Sequence, residues 1–398
     1  MIVSVANSFL SGRVNAITSK SFAHRVMICD FISGVSTDIS NFNVSKDILA
    51  TKSCLDALRN GQNLLDAGES GSTLRFIIPL LGALGGDFVI KTHGKLAKRP
   101  NDDLFSTLSE GGVTAYVKDD CICVLGKLKP STYSIKADVS SQFVSGLLMA
   151  LSALKGRSTL ILLGKITSRP YIDITVDILR KYGVSITELG GVFTIDGANI
   201  KPVLNAVEGD WSNSAFFLVA GAINGDVTVE NLNLNSIQGD RKILDVIKLA
   251  GGTLVFGENS VTVKKSKLNS FSFDAENVPD LVPICAVLAS YCDGVSEIKN
   301  VSRLKFKESD RIVSTCSMLS NCGIKCEYVD GTLKVYGGTV VGGKVDSFND
   351  HRIVMSASIL ALGAKDKVVI DGAQAVEKSY PLFFDDFKSI GGVVNEIV

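Results

Sequence analysis

Histidine is scarce in this chain. Only His24, His93 and His351 occur among 398 residues, far apart in sequence, so a histidine-based zinc site or a Cys–His nucleophilic pair has little support. No CxxC pair exists. The nine cysteines are odd in number and scattered, and Cys121-Ile122-Cys123 is too tight for a usual metal or redox motif. They read as small buried apolar residues of a reducing compartment. Net charge is also missing, with 41 basic and 41 acidic residues, which argues against a protein that coats a polyanion. No apolar run approaches the roughly 20 residues needed to span a membrane. The N-terminus lacks the basic segment, apolar stretch and cleavage site of a signal peptide, so a cytoplasmic chain is expected. What remains, 46% hydrophobic and 21% charged residues, suits a globular protein of two or three domains.

A long repeat is present instead. Helix starts are expected near Ser21, Ser72, Ser141, Ser212, Asp280 and Asp350, spaced by 51, 69, 71, 68 and 70 residues. An apolar helical stretch follows each one. A second series keeps step: helical patterns ending in glycine occur at Gly61, Gly112, Gly183, Gly252, Gly323 and Gly392. Glycine after a helix permits the left-handed turn that releases the chain into a strand. Alternating stretches such as residues 113–117 read as those strands. The period is too long for common solenoids, so each copy is expected to be a small α/β unit with two helices and several strands. A helix N-terminus carries unpaired N–H groups and partial positive charge, so six of them can surround a multiply anionic ligand.

The residues at these starts reinforce that reading. Lys20, Ser21 and Arg25 put a point charge, a hydroxyl and a fork of donors at the first start. Gly68-Glu69-Ser70-Gly71-Ser72-Thr73-Leu74-Arg75 is a small-residue loop that matches neither the P-loop nor the dinucleotide fingerprint. Arg99 precedes Pro100 and is therefore extended. Ser140-Ser141-Gln142 and Ser168-Arg169-Pro170-Tyr171 offer hydroxyl and amide groups. Taken singly, such segments also serve as ordinary caps and turns. Lys307-Glu308-Ser309-Asp310-Arg311 packs alternating charges into five residues, and by itself it reads as a solvated helix face.

Taken in order, the motifs SKSFAHR, GESGSTLR, KRP, DVSSQF, SRPYID, EGDWSNSAFF, IQGD, VPD, KFKESDR, NDHR and EKSYP resemble the enolpyruvyl transferase family, in the branch that uses shikimate 3-phosphate as acceptor. The resemblance runs essentially end to end. It implies an α/β (α+β type) fold of two domains, each with three pseudo-repeated βαβαββ units. The expected domains are residues 13–205, and residues 1–12 with 206–398, with the active site in the cleft between them. The implied reaction moves the enolpyruvyl group of phosphoenolpyruvate to the 5-hydroxyl of shikimate 3-phosphate and releases phosphate, a step of aromatic amino-acid biosynthesis. It needs an acid and a base, and cations for two phosphates and two carboxylates. The resemblance implies neither metal nor organic cofactor, and it implies a monomer without nucleic-acid or membrane partners.

Carried over by motif, Lys20, Ser21, Arg25, Ser140, Ser141, Gln142, Ser168, Tyr171, Asp280 and Lys307 would hold shikimate 3-phosphate. Lys20, Gly71, Arg75, Arg99, Gln142, Arg311, Arg352 and Lys378 would hold phosphoenolpyruvate. Asp280 would act on the 5-hydroxyl and Glu308 on the methylene proton, with Lys20 as the third catalytic group. The sequence departs from the usual pattern at His24, Glu69, Ser72 and Arg303, which stand where Asn, Asn, Thr and, in some members, Asn are found. Glu69 is expected to turn away from the anion site or to pair with a basic residue. A related transferase acting on UDP-N-acetylglucosamine would show Lys-Asn near Ser19-Lys20-Ser21, and a reactive cysteine that residues 95–99 lack. A non-catalytic anion scaffold on the same repeats would have no use for Asp280 and Glu308. An RNA-end-processing enzyme would need an adenylylated histidine and a basic groove.

Overall fold

A computed structural model describes residues 1–40, 42–197, 199–203 and 207–397. The chain divides into two compact units, Met1–Thr18 with Glu208–Val398, and Ser19–Val207. Each unit has its own apolar core. In chain order the helices are α1 (Lys20–Ile32), α2 (Lys46–Arg59), α3 (Gly71–Leu84), α4 (Asp102–Glu110), α5 (Ser141–Ser152), α6 (Arg169–Lys181), α7 (Trp211–Asn224), α8 (Ile243–Leu249), α9 (Val282–Ser290), α10 (Arg311–Asn321), α11 (His351–Leu360) and α12 (Phe383–Ser389). Among the described residues, none is long and apolar enough to cross a membrane.

The odd-numbered helices are the repeated starts. Ser70, Ser140, Asp210 and Asp350 cap α3, α5, α7 and α11 by accepting backbone N–H groups two or three residues on. The start expected at Asp280 differs: Pro279–Leu281 form a 3₁₀ turn, and the α-helix begins only at Val282. The even-numbered helices end at the glycine series. At two of them the left-handed residue is Gly251 or Gly391 rather than Gly252 or Gly392, because α8 and α12 stop early enough for the first glycine of each pair to take the turn.

The described residues form five four-stranded sheets, and four of them share one connectivity. The first two strands of a repeat run parallel, and a hairpin adds two antiparallel strands with the later one inside. In one unit these are Leu64–Asp66, Gly86–Lys91, Cys121–Gly126 and Val113–Lys118, then Thr132–Lys136, Arg157–Leu163, Val192–Asp196 and Ser185–Leu189. In the other unit the N-terminal strand Ile2–Ala6 fills the inner place of the last sheet, between Val368–Asp371 and Val393–Ile397. The next strand, Leu10–Asn15, pairs in parallel with Gly225–Glu230. The chain therefore leaves this unit at Thr18, later than the break expected after residue 12. The repeat formed by α1 and α2 has its two helices but, among the described residues, no sheet of its own. Ile39, Phe42 and Val44 of its connecting segment pack on the core instead.

The helices α3, α5, α7, α9 and α11 are buried almost all round, as core helices must be. Their closeness has a local cause in α3 and α5. Pro79 lies inside α3 and has no N–H to give to the Arg75 carbonyl. Gly146 of α5 sits against that carbonyl, and a Cβ there would lie 2.4 Å from the Arg75 oxygen. Gly146→Ala is expected to cost about 1–3 kcal/mol, read as a lower urea midpoint at unchanged slope. An unshifted midpoint would mean that α3 and α5 are free to separate.

Candidate active site

The functional side chains lie at the two helix entries of each repeat, and one hydrogen bond joins those entries in all six. Lys20 donates to Asp47 (2.7 Å), Arg75 to Asn101 (3.3 Å) and Ser145 to the Tyr171 carbonyl (3.4 Å). Ser212 donates to Asp240, Lys307 to Asp280 (3.3 Å) and Lys378 to the Asn349 carbonyl (2.9 Å). The partners are 26 to 29 residues apart each time. That separation is the signal that could have located Asp47, Asn101, Asp240 and Asn349, which the motif reading left without roles.

In the unit Ser19–Val207, Arg25 of α1 and Arg75 of α3 donate to neutral acceptors, while Lys20 pairs with Asp47. Arg25 is buried and gives four hydrogen bonds, to Thr175 Oγ1 (2.6 Å), the Ser21 carbonyl (2.6 Å), Ser145 Oγ (3.1 Å) and the Tyr171 carbonyl (2.9 Å). Burial lowers it to about 10, so it stays charged at neutral pH. Its guanidinium lies over the Phe76 ring. Arg75 donates to Gln142 Oε1 (2.8 Å) and the Pro100 carbonyl (3.0 Å), and Gln142 Nε2 donates to Ser72 Oγ (2.9 Å). Gly71 lets the Arg99 guanidinium lie close, since a Cβ there would be 2.5 Å from Arg99 Nη1 and would push that side chain aside. These contacts bring Gly71, Ser72, Arg75, Arg99 and Gln142 together. Ser140 caps α5 and Ser141 opens it. Ser168 takes a left-handed conformation (φ 52°) just before α6, while Tyr171 sits in the first turn of that helix.

His24 and Glu69, two of the departures, have defined places. His24 is buried, and burial followed by the charges of Lys20 and Arg25 holds its imidazole well below the ordinary value. It shares a hydrogen bond with Thr51 (2.7 Å), which continues to Thr73 (2.7 Å) and on to Ser70 (2.8 Å), the cap of α3. Glu69 turns toward the chain at Gly94, where a Cβ would lie 3.1 Å from its Oε2.

The other unit holds the carboxylates. Arg311 opens α10 with its side chain 1% exposed. It donates to Asp280 (2.8 Å) through Nη1, to Glu308 (2.6 Å) through Nη2, and to Asp350 (2.8 Å) through Nε. Asp280 also receives Lys307 and Arg352 Nη2 (3.0 Å). Asp350 is sealed at 0% exposure and caps α11 as well. Asp280 and Glu308 keep 19% and 26% of their side chains exposed, so they, and not Asp350, can meet a ligand. Burial would raise Asp350, but Arg311 outweighs it and leaves the carboxyl below its ordinary value. Burial is the largest influence on Lys307 and draws its ammonium down against the pull of Asp280. Asp240, behind this cluster, is raised to about 7 by burial and by the charge of Asp280, against Arg352 and the Ser212 hydrogen bond. Arg303 donates to the Glu276 carbonyl (3.0 Å).

Residues 59–387 match the family described as EPSP synthase (3-phosphoshikimate 1-carboxyvinyltransferase). The chain is 37% identical to a 3-phosphoshikimate 1-carboxyvinyltransferase of Clostridium kluyveri, over 99% of this chain and 98% of that one. It is 36% identical to the protein of the same name from Clostridium acetobutylicum, over 97% and 96%. In fold it is similar to the solved EPSP synthase of Acinetobacter baumannii (TM-score 0.82, 22% identity, 100% of each chain). It is also similar to the enolpyruvyl transferase NikO of Streptomyces tendae (TM-score 0.77, 15% identity, 99% and 98%).

The Asp240 carboxyl has a measurable consequence. The unfolded chain loses this proton near pH 4 and the folded protein near pH 7. The folded state therefore binds more protons in between, and this group makes stability fall as pH rises through that window. Asp240→Asn removes the effect. Urea midpoints between about pH 4 and pH 7 should fall less with rising pH in the variant than in the parent. Equal declines would show that Asp240 does not hold its proton there.

Proposed function

The chain belongs to the EPSP synthase family, and on that footing we propose that Asp280, Glu308 and Lys20 carry its proton transfers. The reaction joins the 5-hydroxyl oxygen of shikimate 3-phosphate to C2 of phosphoenolpyruvate and protonates C3. It then removes a proton from that methyl group while phosphate leaves. Asp280 takes the hydroxyl proton. Lys307, Arg311 and Arg352 all donate to it and fix the position of its carboxylate. Glu308 gives a proton to C3 in the addition and takes one back in the elimination. Lys20, paired with Asp47, offers its ammonium to both substrates.

Binding follows the same division of side chains. Ser21, Arg25, Ser140, Ser141, Gln142, Ser168, Tyr171 and Lys307 hold shikimate 3-phosphate. Arg25 also braces the start of α1 through its own four hydrogen bonds. Gly71, Arg75, Arg99, Gln142, Arg311, Arg352 and Lys378 hold phosphoenolpyruvate. The enzyme works as a monomer in the cytoplasm. Six of its nine cysteines are buried as thiols, which suits a reducing compartment.

The observation that carries this reading is the sharing of one buried guanidinium by two partly exposed carboxylates. Each has a different Nη, so their positions are fixed relative to one another. Asp280→Asn and Glu308→Gln should each lower kcat at least about a hundredfold, measured as phosphate release, with circular dichroism showing that each variant is folded. Near-parent turnover in either variant removes that residue from the mechanism.

A further inference from the structure

Cys316 of α10 and Cys326, the first residue of the strand Cys326–Val329, face each other with their sulfurs 3.1 Å apart. Both are partly exposed and pack against the core of their unit. Six of the other seven cysteines are buried, and Cys121 is partly exposed on a strand of the other unit. A disulfide needs the two sulfurs about 2.05 Å apart, so an approach of about 1 Å closes the bond. We propose that Cys316 and Cys326 form a modification site, a dithiol that low-molecular-weight disulfides convert to an intramolecular disulfide in the folded enzyme.

The chemistry balances with glutathione disulfide as oxidant. The Cys316 thiolate attacks one glutathione sulfur, the S–S bond of the oxidant breaks, and one glutathione thiolate leaves. Cys326 then attacks Sγ of Cys316 and expels the second glutathione. The two protons lost by the protein thiols go to the two released thiolates. The protein pair is oxidised by two electrons and glutathione disulfide is reduced by two. The roles follow from the local hydrogen bond. Donation from Cys326 lowers the Cys316 thiol below its ordinary value and raises that of Cys326, so Cys316 is the first attacker. Cys326, in contact with it, is the resolving thiol. The closed bond ties α10, whose first residue is Arg311, to its neighbouring sheet.

The test is to incubate the native full chain with glutathione disulfide, alkylate it under denaturing conditions, and map tryptic peptides by mass spectrometry. The expected result is a fall from nine alkylatable thiols to seven, with residues 312–325 joined to 326–334 through Cys316 and Cys326. Thermal unfolding of the oxidised protein should shift upward and return on reduction. In Cys326→Ser, glutathione should remain attached to Cys316. Nine free thiols, a link through Cys322 instead, or glutathione retained on the parent protein would overturn the proposal. So would a Cys326→Ser protein with no adduct at Cys316.

Discussion

One guanidinium organises the acidic half of this enzyme. Arg311 is buried, and three carboxylates converge on it. An unpaired charge at such a site is costly, and breaking a buried pair typically costs about 3–5 kcal/mol. The position of each carboxylate is therefore set by a large penalty, not by weak surface attraction. Three helix entries depend on it. The 3₁₀ turn before α9 presents Asp280, and α10 begins with Arg311 itself. Asp350 caps α11 while accepting from Arg311. Arg352, one residue into α11, returns to Asp280 and closes the ring.

The other unit solves a different problem. All four hydrogen bonds of Arg25 go to neutral oxygens, and Arg75 reaches an amide oxygen and a carbonyl. Neutral partners fix the direction of a guanidinium without cancelling its charge. Phosphates and carboxylates suit such a surface. Around Arg311 the positive charge is largely balanced from within, which suits moving protons between carboxylates and a substrate.

Much of this was legible in the sequence, for physical reasons. Helix starts and glycine stops are local, decided by capping and by backbone conformation within a few residues, so Ser70, Ser140, Asp210 and Asp350 sit where the pattern put them. The motifs also named the exposed carboxylates Asp280 and Glu308. What escaped was non-local. Pairing of Leu10–Asn15 with Gly225–Glu230 joins segments separated by a whole unit, and no local signal marks it. That the described residues of the α1 and α2 repeat form no sheet of their own could not be read from helical periodicity. The charge run at residues 307–311 reads as a solvated face by its pattern alone, and only the motif resemblance put it in the site, because the burial of Arg311 is non-local. Asp240 drew no notice because its distinction is burial beside other charges, which composition does not reveal.

Arg311 fixes the carboxylates by its fork of donors and not by its charge alone. Lysine at this position keeps the charge and a partner for Asp350, but one ammonium cannot hold Asp280 and Glu308 on separate nitrogens. The decisive measurement is steady-state turnover of Arg311→Lys, alongside circular dichroism to establish folding. The expected result is a folded protein whose kcat falls about as far as it does when either reacting carboxylate is neutralised. A folded variant that turns over within a few-fold of the parent would contradict it.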